Sequence, residues 1–245
     1  MFVRFFAVLR LFGALLHGLR GALIIAWQFP RLDDAARQMH VQLWSRQMLC
    51  VLGISLRVQG ATQLSGPLLL VANHISWLDI TALHAARYCR FVSKADVRDW
   101  PLIGRLANGV GTVFIQRESR RDALRVVYHM AERLQAGDVL AVFPEGTTSE
   151  GRELLPFHGN LLQAAISAET PVQPVALHFL DAYGQPSLAP CYVGDDTLVA
   201  SLWRTLCTPG ITVVLQFGEP QTAQGRTRQA WAHDLRHTII EMRRV

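Results

Sequence analysis

The chain has 245 residues, 50% hydrophobic and 18% charged, which excludes a disordered chain with too little apolar surface to offset its entropy. Its apolar runs all stop short of the ~18 uninterrupted residues of a spanning helix, which excludes a polytopic membrane protein. The net charge of +5 comes from 23 arginines and one lysine, Lys94; it fits anionic partners such as phosphates and lipid head groups, while the scatter of the arginines argues against nucleic acid.

Residues 1–29 are strongly apolar, but three positive charges and the lack of an A-x-A-like end argue against a removable signal peptide. Twelve strongly apolar residues between Phe5 and Ile25 favour membrane insertion by about 4–7 kcal/mol. Arg10 and Arg20, held at depth, oppose it by roughly 5–7 kcal/mol. Spanning is therefore marginal. At about 100° per residue, Arg10, Gly13, His17 and Arg20 share one narrow arc, the pattern of a helix lying in the interface. A span and a core helix remain the alternatives. Pro30 ends the segment. Asp33 and Asp34 open a second helix, with Ala36, Met39, Leu43, Trp44 and Met48 on its apolar side. Residues 1–50 thus read as a membrane-associated hairpin, and 51–245 as an α/β domain.

Beyond residue 54 β and α signals alternate. Strands are predicted at Ile54–Val58, Leu68–Ala72, Phe91–Ser93, Gly111–Gln116, Val139–Phe143, Val172–Phe179 and Ile211–Phe217. Helices are predicted at 76–87, 97–107, 119–135 (capped by Ser119), 158–168, 196–206 and 227–243. Leu68–Ala72 is a compact apolar run, as expected for a strand buried on both faces. Pro174 marks its strand as an edge or a bulge. The alternation predicts an α/β fold, a largely parallel sheet flanked by helices. Ligands of such sheets sit beyond the carboxyl ends of the strands.

Polar residues cluster at those ends. Asn73-His74-Ile75-Ser76-Trp77-Leu78-Asp79 follows a buried strand. On one helix His74 and Asp79 would point about 140° apart, so His74 belongs in the loop. Ser76 then caps the helix, with Asp79 at its third position. From there the carboxylate points back at the imidazole, fixing its tautomer and leaving the other nitrogen to take a proton. The alternative is a plain cap beside a loop histidine. Gly111-Thr112-Val113-Phe114-Ile115-Gln116-Arg117 ends in an arginine able to grip a phosphate, or in one more surface arginine. Phe143-Pro144-Glu145-Gly146-Thr147-Thr148-Ser149 places hydroxyls around a glycine that permits close approach, or forms a self-bonded turn. His233 and His237 share a helix face without a third ligand, so no metal is predicted. The four cysteines show no zinc spacing and read as reduced thiols.

Taken together, NHISWLD, GTVFIQR, FPEGTTS and Val172-Gln173-Pro174-Val175 resemble the four ordered blocks of the glycerolipid acyltransferases. Over residues 55–220 the chain looks like the 1-acyl-glycerol-3-phosphate acyltransferase group. The resemblance implies a catalytic pair, with His74 as general base on an acceptor hydroxyl and Asp79 orienting it. It implies an acyl thioester donor, acyl-CoA or acyl carrier protein, and no cofactor. It assigns Phe114, Arg117, Glu145, Gly146 and Thr147 to acceptor binding, and puts Lys94 where members often hold a cation near the phosphate. Phosphatidic acid is the expected product, made on the cytoplasmic face of a bacterial inner membrane. One departure stands out. Many members have arginine at position 148, and this chain has threonine. That variant is similar to members acylating lyso-ornithine lipid. A thioester hydrolase is a weaker alternative, because it would not need the 143–149 block.

Overall fold

Five consecutive apolar residues, Leu68–Ala72, form β2, and all five are buried. The other strands are β1 (Ser55–Gln59), β3 (Arg90–Lys94), β4 (Val113–Ile115), β5 (Val139–Val142), β6 (Val172–Leu180) and β7 (Thr212–Phe217). In the computed structural model, which describes residues 2–62, 65–115 and 120–244, they make one sheet of order β1-β7-β6-β2-β5-β3-β4. β2 pairs in parallel with β5 and β6, β3 with β4 and β5, and β1 with β7. The β6–β7 ladder is antiparallel. The α/β expectation, a largely parallel sheet between helices, therefore holds.

The helices are α1 (Phe2–Trp27), α2 (Asp34–Leu52), α3 (Leu78–Ala86), α4 (Ile103–Gly109), α5 (Arg120–Gln135), α6 (Leu162–Ser167), α7 (Leu198–Leu206) and α8 (Arg228–Met242). Alternation along the strands splits the core in two. On one face Leu68, Leu70, Leu177 and Leu215 pack with Leu49 and Leu52 of α2, Leu78 and Leu83 of α3, and Leu206 of α7. On the other, Leu69, Val71 and Ala176 pack with Met130 and Leu134 of α5, Leu162 of α6, and Trp231 and Leu235 of α8.

Of the two readings of Pro174 the bulge holds and the edge does not, since β6 lies between β7 and β2. Its carbonyl accepts from Gly218 N–H. Three steps along β6, from Val172 to Val175, face four along the partner chain, from Phe217 to Gln221. The irregularity is thus an extra residue opposite the proline. Other expectations need correction. The predicted helix 97–107 is broken. A 3-10 turn covers Ala95–Asp99, α4 begins at Ile103, and Pro101 lies between them, where the residue before a proline is steered away from helical geometry. The helix at 158–168 likewise opens as a 3-10 turn at Gly159–Leu161. Ser119, the expected cap of α5, lies outside the described residues.

The hairpin helices pack differently from their apolar pattern. The predicted apolar side of α2 is split: Met39 and Leu43 are exposed, whereas Val41, Ser45, Leu49 and Leu52 are buried. Gln42 and Arg46 explain the shift, because they donate to the Ala86 and Ala85 carbonyls at the end of α3. On α1 the polar stripe is a seam with α2. The Arg10 guanidinium lies over Gly53, Gly13 meets Val51, the His17 ring stacks on Trp44 at 4.9 Å, and Arg20 bonds to Gln47 at 3.1 Å. His17 and Trp44 also exchange side-chain to carbonyl bonds, both 3.0 Å. The outward face of α1 carries Phe2, Phe5, Phe6, Phe12, Leu16, Leu19 and Leu23, each at least half exposed. The helical segment Phe2–Arg31 is long and apolar enough to cross a membrane.

Candidate active site

The chain leaves β2 at Ala72, and three separate segments fix the loop that follows. Asn73 is buried, and its side-chain amide exchanges two hydrogen bonds with the backbone of Leu177, at 2.8 and 2.9 Å. It thereby extends the β6 ladder past the end of β2. His74 N–H donates to Glu145 Oε1 at 2.7 Å, and the His74 carbonyl accepts from Ser149 N–H at 2.9 Å. The Ile75 carbonyl accepts from Tyr192 N–H at 3.1 Å.

Within this frame the two residues five apart in sequence meet. His74 Nδ1 lies 2.8 Å from Asp79 Oδ2. The same oxygen accepts from Ile75 N–H at 2.7 Å and Ser76 N–H at 2.9 Å. Asp79 is fully buried, while the His74 side chain keeps 19% of its surface exposed. Half of the expected capping box forms, because Asp79 reaches back to Ser76. Ser76 Oγ, however, accepts from Leu78 N–H at 3.3 Å, and α3 starts one residue later than a Ser76 cap implies. A carboxylate can only accept, so Nδ1 is the donor and Nε2 carries the lone pair. The imidazole also stacks on Phe143 (3.9 Å between centroids, 7° between planes), and Phe143 stacks on Phe91 at 5.7 Å. The ring is thus held by its stack on Phe143 and by the carboxylate at Nδ1, and can take a proton at Nε2.

The 143–149 block turns behind this pair. Gly146 has φ +74°, the left-handed geometry that glycine adopts without strain, and its N–H bonds back to the Phe143 carbonyl at 3.1 Å. Glu145 is buried. Its second oxygen accepts from Leu155 N–H at 2.9 Å, so both oxygens serve backbone donors. Burial pushes its pKa up, opposed by the hydrogen bonds from His74 and Leu155 and by the His74 charge. Thr147 is exposed, and the Thr148 hydroxyl donates to the Tyr192 carbonyl. Lys94 closes β3, paired in register with Ile115. Phe114, on β4, is half-buried, with the Arg98 guanidinium 4.9 Å from its ring centroid. Arg117 lies outside the described residues.

Sequence reasoning missed four residues here. Asn73, Tyr192 and Arg98 act through contacts between distant segments or adjacent elements, which no local pattern announces. Phe143 was in view as part of its block, but nothing in the sequence predicts the stack. His233 and His237 do adjoin, 4.6 Å between centroids. Among the described residues no group of three His, Cys, Asp or Glu is placed to hold a metal.

Comparison with known proteins shows the family and the fold. Residues 55–178 match the model of the acyltransferase family. The lyso-ornithine lipid O-acyltransferase of Pseudomonas aeruginosa is 39% identical over 83% of this chain and 78% of its own length. The 1-acyl-sn-glycerol-3-phosphate acyltransferase of Neisseria meningitidis is 39% identical over 70% of this chain and 68% of its own. The crystal structure of the LPA acyltransferase PlsC from Thermotoga maritima superposes with a TM-score of 0.64, at 21% identity, covering 96% of this chain and 98% of that one; at that identity the likeness speaks for the fold. The chain belongs to the acyltransferase family and is an O-acyltransferase of the lysophospholipid type.

Proposed function

We propose that the protein transfers an acyl chain from an acyl thioester, acyl-CoA or acyl carrier protein, to the free hydroxyl of 1-acyl-glycerol-3-phosphate, making phosphatidic acid. The observation that carries this reading is the His74–Asp79 pair just past the carboxyl end of β2, with no hydrogen-bond partner at Nε2 among the described residues. His74 Nε2 takes the hydroxyl proton, and the acceptor oxygen attacks the thioester carbonyl carbon. The C–S bond breaks, and the departing thiolate takes the proton back from the imidazolium. Asp79 stabilises that imidazolium. A positioned base typically supplies about 10²–10⁴ in rate. The family resemblance gives Phe114, Arg117, Gly146 and Thr147 the role of binding the acceptor and Lys94 that of the cation for its phosphate. Glu145 supports the turn and the His74 loop together. The exposed apolar face of α1 holds the enzyme on the inner membrane, on the cytoplasmic side where acyl thioesters are made.

A second acceptor, lyso-ornithine lipid, is favoured by position 148. The residue there is threonine, and its hydroxyl is tied to the Tyr192 carbonyl, so the 143–149 turn offers no cation to a phosphate. The Pseudomonas aeruginosa relative is named for that acceptor. One experiment separates these readings: purified enzyme, one acyl thioester, and each lysolipid in turn or none, read by lipid mass spectrometry and thiol release. Thiol release and ester formation that both require 1-acyl-glycerol-3-phosphate support the first reading. Transfer to lyso-ornithine lipid alone replaces it with the second. Thiol release without any acceptor would make the protein a hydrolase.

A further inference from the structure

We infer that α7 is a second membrane-contacting surface, continuous with the outward face of α1 and fitted to the head-group zone of a bilayer. It rests on the membrane attachment proposed above and extends it to an element some 170 residues further along the chain. A surface helix ordinarily turns its polar side out. α7 instead turns polar side chains inward beside its core residue Leu206. Ser201 and Thr205 face inward and are buried, with the Thr205 hydroxyl donating to the Ser201 carbonyl at 2.8 Å. Outward, one turn apart, stand Val199, 75% exposed, and Trp203, 38% exposed. α1 shows the same arrangement, with His17 buried and a row of phenylalanines and leucines outside. The two helices meet at a groove lined by Val3, Arg4, Trp203 and Cys207.

The tryptophans identify the occupant. Three are exposed, Trp27, Trp100 and Trp203, and each lies on α1, or on or beside a helix that packs against it. Trp27 ends that helix, Trp100 is two residues from Leu102, whose side chain touches Gly18, and Trp203 faces Val3 across the groove. Trp231, on the far face of the sheet, is fully buried. Tryptophan with one wet and one apolar side favours the membrane–water boundary, and the exposed Arg4 beside Trp203 complements anionic head groups. α7 also touches the catalytic loop, since Trp77 Nε1 donates to Ser201 Oγ at 3.2 Å. Lipid contact at α7 would therefore set the catalytic loop directly above the leaflet that holds the acceptor.

The test uses the full-length protein and vesicles of phosphatidylethanolamine and phosphatidylglycerol. Val199→Glu/Trp203→Glu should weaken flotation with vesicles about tenfold or more. It should slow transfer to vesicle-borne acceptor by a similar factor, yet stay within about twofold of wild type on acceptor in detergent micelles. Val199→Leu/Trp203→Phe should behave as wild type. If the double glutamate variant melts early, Val199→Glu alone carries the test, because that side chain is mostly in solvent. A folded variant that floats and turns over like wild type overturns the inference. So does a wild-type dimer that the variant splits, for then the face joins two copies. Wild-type enzyme active in micelles but unable to float overturns the membrane surface and spares the reaction. Enzyme that floats but transfers nothing overturns the reaction, and the flotation of the variant still decides on α7.

Discussion

Glu145 is a buried carboxylate whose two oxygens each hold one backbone N–H, one from the His74 loop and one from Leu155. In Glu145→Gln one of these donors would face an amide NH₂, and a buried donor left without an acceptor costs about 1–3 kcal/mol. The His74 loop should shift, and small displacements of a reacting group are costly, on the order of 10²-fold for about 1 Å. We expect kcat to fall about 10- to 100-fold, with KM for the thioester little changed and the melting temperature a few degrees lower. Unchanged kcat would show that Glu145 does not position the base. His74→Ala should be more severe, at least about 10²–10⁴ in rate, with the melting temperature close to wild type, because the imidazole is partly exposed; near-normal turnover would remove it as the base. The contrast explains what sequence conveys at this scale. His74 and Asp79 are five residues apart; helix geometry puts the histidine in the loop, and the family resemblance implies its pairing with the carboxylate. The bond from His74 to Glu145 spans 71 residues, and that from Asn73 to Leu177 spans 104. Only the assembled sheet brings those pairs together.

Elements with a strong local pattern, the apolar run of β2 and the amphipathic period of α5, are legible from sequence alone. The departures have local physical causes: Pro101 splits a helix, while Pro174 fits mid-sheet as a bulge, with an extra residue opposite it just beyond β7. α3 shows how packing creates chemistry that pattern does not. His84 lies on it, buried, with Nε2 2.9 Å from the Cys89 carbonyl. Burial lowers its pKa to about 4, against a smaller opposing pull from that hydrogen bond. The sign of the linkage follows. As pH falls below about 6.5 the unfolded imidazole takes up a proton first, so the unfolded state binds more protons and stability drops toward pH 4. The loss from this group is on the order of 3 kcal/mol. His84→Gln removes the titration while leaving an N–H to donate. The melting temperature of wild type relative to His84→Gln should therefore decline between pH 7 and 4.5. A difference independent of pH would mean that His84 does not titrate in this way.

At the scale of the whole molecule, α1 carries its polar groups on the protein side and its apolar groups outside. The sequence shows the polar stripe but not its direction, because a stripe facing head groups and a stripe facing a partner helix have the same 3.6-residue period. The structure resolves the direction through Gly13 and Gly21, which let Val51 and the Trp44 indole come close, and through the His17–Trp44 stack. Outward and inward substitutions should therefore act on different quantities. Phe5, Phe12 and Leu19 are seven residues apart on one line of α1, and each is more than half exposed. Transferring such a side chain from water to an apolar medium is worth about 2 kcal/mol. The triple change Phe5→Glu/Phe12→Glu/Leu19→Glu should then cut membrane partition by about 10⁴-fold or more, with melting temperature and micelle activity near wild type. His17→Leu removes the bond from the imidazole to the Trp44 carbonyl and the ring stacked on the Trp44 indole, at a cost of about 0.5–1.5 kcal/mol for the hydrogen bond. It should lower the melting temperature and leave partition unchanged. Flotation and thermal unfolding of both variants decide the matter. If His17→Leu releases the protein from vesicles as fully as the triple change does, the hairpin is melting and its outward face is not what holds the enzyme to lipid.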